Sequence, residues 1–136
     1  EIMRKLREIV PQEADPGTIV RNPVDFSTSW IRPGVFPALL KTMASYDGID
    51  FILIYLGLYP GGDEIESKVI DSIIETRKNL SKPIVMVLRY NHAPQVGKVA
   101  LDLQKKCAGG GMPVFSSFSR ATRAINRFVE YHEQRR

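Results

Sequence analysis

The sequence predicts a three-layer α/β/α sandwich around a mostly parallel sheet of four to five strands, and three observations carry that expectation. First, Phe51–Leu56 is an unbroken run of apolar and aromatic residues, the pattern of a strand covered on both faces. Second, the turn Gly57–Asp63 leads directly into Ile65, Val69, Ile70, Ile73 and Ile74, which recur at helical spacing. Third, the same alternation returns twice: Ile84–Leu88 before the helical series Val96, Val99, Ala100, Leu103, and Met112–Phe115 before Ala121, Ala124, Ile125, Phe128. Strands separated by helix-length crossovers lie parallel and are connected right-handedly.

Each element can be justified in order. Ile2, Leu6, Ile9 and Val10 predict an amphipathic helix over residues 1–10, ended by Pro11. Gln12–Gly17 is polar, with Pro16-Gly17 as a turn signal. Thr18-Ile19-Val20 begins a first strand, which Asn22-Pro23 confines to the sheet edge because proline cannot donate to a ladder. A helix then starts near Pro33–Val35, buries Phe36, Leu39, Leu40 and Met43, and ends at Asp47-Gly48 before a central strand from Asp50. The next helix runs from about Asp63 to Asn79, with Asp63 as N-cap and Glu66 completing an approximate capping box. Ile84–Leu88 is a strand that ends in the loop Arg89–Pro94, and the helix after it runs to Cys107. Ala108–Gly111 supplies a left-handed cap. Ser116–Ser119 leads into the last helix. This alternation is that of a flavodoxin-like or Rossmann-like sheet.

With 136 residues the chain is long enough for one domain with a real core, and its 43% hydrophobic and 25% charged residues are ordinary for a globular protein. No stretch approaches the roughly 18 apolar residues of a membrane helix, and no signal-peptide pattern opens the chain. A cytoplasmic location without membrane contact is expected. The start at Glu1, inside a helical pattern, leads us to expect a piece of a longer polypeptide. A single cysteine, Cys107, excludes an internal disulfide and fits a reducing compartment. The net charge of +4 is modest, and the basic excess gathers at Arg120, Arg123, Arg127, Arg135 and Arg136, where cations complement a helix C-terminus. Without a basic stripe interleaved with aromatics, no nucleic-acid partner is expected.

Ligands bind open α/β sheets at the carboxyl ends of the strands. Three features fall in those loops. Ser27-Thr28-Ser29 precedes a helix, where hydroxyls and free N–H groups hold a phosphate or carboxylate, or simply cap. Tyr59-Pro60-Gly61-Gly62 lets backbone approach a ligand, although Asp63 and Glu64 already occupy the positive end of the helix beyond and the spacing matches no nucleotide-loop motif. His92, in Tyr90–Pro94, has the chemistry of a general base or phosphate acceptor, but a lone loop histidine is more often inert. His132 has no partner pattern. Neither a catalytic triad, a zinc-ligand cluster nor a carboxylate pair assembles from the sequence.

The succession of Asn22-Pro23-Val24-Asp25, then YDGIDFILIYLGLYPGG (residues 46–62), KPIVMVLR (82–89) and GGMPVFSSFSRATRAINRFVEY (110–131) resembles one family. It is similar to the flavodoxin-like CoA-ligase domain of NDP-forming acyl-CoA synthetases, including ADP-forming acetyl-CoA synthetase, and to the carboxy-terminal domain of the succinyl-CoA synthetase β subunit. The resemblance covers most of the chain and rests on order and spacing, with Asn22–Asp25 its most specific piece.

The resemblance implies a succinyl-CoA synthetase-like domain of an acid–thiol ligase. Such an enzyme interconverts acyl-CoA, ADP and phosphate with acid, CoA and ATP through a phosphohistidine held by another domain. It implies that ATP or ADP, CoA and Mg belong to the parent enzyme, with no cofactor held by this domain alone. The partners it implies are a CoA-binding domain, a phosphohistidine-bearing domain and an ATP-grasp domain, together with phosphate or a small carboxylic acid. Asn22, Asp25, Ser27, Thr28, Ser29, Tyr59, Gly61 and Gly62 are then its phosphate- or acid-binding positions, and the isolated piece is inactive. Two departures stand out. Hydroxyl residues replace the glycines of the family's first turn, and Asn91 and Pro94 replace the glycines around a phosphorylated histidine, so His92 is not expected to carry phosphate. The competing expectation is a metabolite-sensing or scaffold module fused to an acetyltransferase. A stand-alone receiver or flavin binder is weaker, because Thr18–Asp25 lacks a receiver's acidic pair and no phosphate loop follows a good first strand.

Overall fold

A computed structural model describes residues 1–10, 17–90 and 94–135. The elements in chain order are α1 (Ile2–Ile9), a 3-10 helix (Ser27–Ile31), α2 (Val35–Ala44), β1 (Ile52–Leu58), α3 (Asp63–Arg77), β2 (Ile84–Tyr90), α4 (Pro94–Gly109), β3 (Val114–Phe115) and α5 (Phe118–Glu133). They fall into two compact units, one of residues 1–52 and 65–83, the other of residues 53–64 and 84–136.

The first unit is mainly helical. Leu6 and Val10 at the end of α1 meet Leu39 of α2, and Ile2, Ile9, Val20, Val24, Phe26, Val35 and Met43 pack around them. Phe26 meets Phe36 edge-on, with centroids 6.0 Å apart. α3 buries Val69, Ile70 and Ile73 of the apolar series its sequence predicted, leaves Ile74 half-buried and exposes Ile65. It begins at Asp63, and Glu66 is only 2% exposed.

The predicted first strand is not formed. Thr18–Asp25 makes one isolated antiparallel bridge, in which the Ile19 and Asp25 amides donate to each other's carbonyls at 2.8 and 3.0 Å. The intervening chain turns through a cis Asn22–Pro23 peptide. Pro23 has no N–H to extend the bridge into a ladder, so the reversal comes too soon for a strand.

The second unit holds the sheet, which among the described residues has three parallel strands in the order β1-β2-β3 rather than the expected four to five. β2 and β3 pair with Met86 opposite Val114 and Val87 opposite Phe115. β2, not β1, is central, and Ile84–Leu88 is buried throughout. β1 lies at an edge, and its burial alternates, leaving Tyr55 43% exposed. Val85 and Val87 pack on Ala121 and Ile125 of α5, with Leu53 and Phe115 beside them. α4 packs on β2 and β3.

The cap after α4 forms as its glycines suggest. Gly111 takes φ +70°, its amide donates to the Ala108 carbonyl, and the Met112 amide donates to the Cys107 carbonyl, both at 2.9 Å. Those two bonds are a Schellman closure, and Met112 is buried behind it. Among the described residues no helix is long and apolar enough to cross a membrane.

Candidate functional site

Parallel strands bring the loops after β1 and β3 and the carboxyl end of β2 to one edge of the second unit. The loop after β1 has the features of a type II turn. The Gly62 amide donates to the Tyr59 carbonyl at 3.1 Å, with Pro60 at the second position and Gly61 at φ +83° at the third. Gly61 is there because L side chains avoid that conformation, and an added Cβ would meet nothing within 4 Å. The Gly62 N–H is consumed by the turn, so the donors this loop can offer a ligand are those of the first turn of α3. Asp63 and Glu64 flank them with exposed carboxyl groups.

Tyr59 is 68% exposed, and its ring folds back over Gly57, where an added Cβ would come within 3.0 Å of the phenolic oxygen. Next to this turn the edge carries a group that sequence reasoning missed. Arg89, placed by the sequence in a loop, is the sixth residue of β2 and donates to the Tyr55 hydroxyl at 3.2 Å. By accepting that bond, the hydroxyl holds the guanidinium pKa above its ordinary value. The Tyr55 ring stacks on Phe118 at 5.0 Å and 9°. Phe118 opens α5 immediately after its N-cap, Ser117, whose hydroxyl accepts the Arg120 amide at 3.4 Å. The signal for Arg89 was available: it is the one charged residue in an otherwise apolar strand, at its carboxyl end. The edge therefore gathers an exposed cation, three aromatic rings and two helix starts.

The hydroxyl run belongs to the first unit. Ser27, Thr28 and Ser29 lie inside the five-residue 3-10 helix, and α2 starts only at Val35, after Gly34 at φ +83°. They therefore do not form the start of an α-helix. Ser27 has φ +47°, and its amide donates to the Asp25 carboxylate at 2.8 Å. This Asx-type bond fixes the turn and gives Asp25 a local structural duty. Ser29 is fully buried, its amide bonded to the Phe26 carbonyl, while Thr28 and Asn22 are exposed.

Within each unit the expected positions are neighbours: Asn22, Asp25 and Ser27–Ser29 in one, Tyr59, Gly61 and Gly62 in the other. His92 lies outside the described residues. Among the described residues no three or more His, Cys, Asp or Glu side chains gather as metal ligands. Cys107 is completely buried in α4, and burial pushes its thiol pKa up to about 11. Compared with protein-family models, curated proteins and solved structures, the chain matches none of them.

Proposed function

We propose that this chain is a flavodoxin-like CoA-ligase domain, a three-layer sandwich in its parent protein, acting within an NDP-forming acyl-CoA synthetase. Its role there is to receive a phosphoryl group, carried on a histidine of another domain, beside the acid substrate. The observation that carries this reading is the β1–turn–α3 unit. β1, with alternate residues buried, ends in a turn with left-handed Gly61 that delivers the chain into a helix start, at an edge that also holds Arg89 and the start of α5.

The chemistry asked of this chain is positioning and electrostatics. Phosphoryl transfer spreads negative charge over the equatorial oxygens, and fixed N–H dipoles and a guanidinium stabilise that charge without forming bonds. The first-turn amides of α3 and the Arg89 side chain are such groups. Asp63 and Glu64 oppose an anion at the same helix end, so in this reading Arg89 offsets them. Asn22, Asp25 and Ser27–Ser29 form a separate polar turn within the first unit, with Asp25 holding its shape. Nucleotide, CoA and Mg²⁺ are assigned to the other domains of the synthetase.

Amide NMR on the full chain tests the proposal, with the phosphohistidine-bearing domain of an NDP-forming synthetase added in its phosphorylated and unphosphorylated forms. The phosphorylated form is expected to shift Gly61, Gly62 and Ser27–Ser29 selectively. Silence at both turns with both forms overturns the proposed role.

A further inference from the structure

The first unit has another polar feature, made of residues the proposed reaction does not use. Arg7 in the last turn of α1 and the segment Thr18–Arg21 line an open depression of about 280 Å³. On α1, Arg4 pairs with Glu8 and Lys5 with Glu1, whereas Arg7 has no acidic partner among the described residues. The Arg21 side chain is equally unpaired among them. Thr18 lines the same depression; it is 5% exposed, and its hydroxyl oxygen is buried with no hydrogen-bond partner among the described residues. Leaving such a group unsatisfied is costly, and a bound acceptor removes the cost.

We propose that this depression is a phosphate site, with Arg7 and Arg21 as its two cationic arms and the Thr18 hydroxyl as a donor to the same ion. Two monocations without acidic partners among the described residues match a dianion, and guanidinium forks fit phosphate oxygens with paired, directed hydrogen bonds. A carboxylate brings one charge and two oxygens, which a single arginine already satisfies. The volume is at the small end of ligand sites and is sized for a phosphate group rather than a whole nucleotide. The site is independent of the phosphoryl-receiving edge, since none of its residues belongs to that edge.

Titration of the ¹⁵N-labelled full chain with inorganic phosphate at constant ionic strength is the test. Saturable shifts are expected at the Thr18–Arg21 amides and the Arg7 side chain. Arg7→Gln and Arg21→Gln should each weaken binding at least tenfold, and Arg4→Gln should leave it unchanged. Both arginines are exposed, so these variants keep the fold, which thermal melting verifies. Thr18→Val should weaken binding several-fold while raising the melting temperature without phosphate, because it removes the orphaned hydroxyl. In parallel arms, glycerol phosphate binding as well as phosphate identifies the end of a phosphomonoester as the recognised group, and weaker binding identifies the free ion. Acetate is expected to bind at least tenfold more weakly. Linear shifts unaltered by the double arginine substitution, or acetate equal to phosphate, overturn the proposal. Because the reaction edge is probed at other amides and with a phosphorylated protein, either proposal can fail alone.

Discussion

β1 and β2 have sequences of the same kind, ILIYLGL and IVMVLRY, and different places in the sheet. β2 is central and buries five consecutive residues. β1 is an edge strand in which Ile52, Ile54, Leu56 and Leu58 are buried and Tyr55 faces outward. An apolar run thus identifies a strand without fixing its neighbours. Position depends on what pairs on each side, and here Asn22-Pro23 turned the expected outer strand into a single bridge. β2 fills the core, while β1 presents Tyr55 to Arg89 and Phe118.

The sharpest way to break this contrast is to truncate one residue of each strand. Leu88 is 0% exposed, so Leu88→Ala should cost about 2–5 kcal/mol in urea unfolding. Tyr55→Ala should cost only about 1 kcal/mol, mostly the lost stacking on Phe118. Equal losses would mean that β1 is buried as deeply as β2.

The helix packed on β2 gives the next largest effect, and it depends on pH. Burial raises the Cys107 pKa from 9.0 to about 11, so the folded state keeps its proton after the unfolded chain has lost it. The sign follows: this stabilisation is complete below pH 9 and is lost as pH rises from about 9 to 11. The loss is roughly 2–3 kcal/mol. Cys107→Ala should flatten this part of the stability–pH curve, and the native thiol should resist alkylation at neutral pH.

The turn after β1 supplies smaller effects that separate backbone conformation from space. Gly61→Ala should cost about 1–2 kcal/mol, because φ +83° strains any Cβ even where nothing crowds it. Gly97→Ala, within α4 and equally uncrowded, should stabilise by about 0.5–1 kcal/mol. Smallest of all is Gly57→Ala. It should leave the melting temperature nearly unchanged and move the ring resonances of the exposed Tyr59, which alone has to swing aside.

Most helices were legible in the sequence because their apolar residues recur on one face, although α5 buries only Ala121 of its expected series and leaves Phe128 63% exposed. Val69, Ile70 and Ile73 of α3 and Val96, Ala100 and Leu103 of α4 are buried as their spacing demands. The left-handed cap after α4 was legible too, although only geometry singles out Gly111 among three glycines. Strand order was not legible, since pairing depends on residues far apart in the chain. Of the candidate site, the hydroxyl run was visible but its local structure was not. Asp25 takes the Ser27 amide and winds the segment into a 3-10 helix, a short-range competition that composition alone does not decide. Arg89 was overlooked because a lone charge after five apolar residues marks a strand end as well as a strand member.

The shared edge is the premise on which the proposed activity depends, and ring-to-ring NOEs in the free chain measure it directly. A strong cross-peak between Tyr55 of β1 and Phe118 of α5 is expected for centroids 5.0 Å apart. Absence of that cross-peak, with Phe118 instead in contact with Ile84 at the opposite end of β2, would contradict the arrangement and the function built on it.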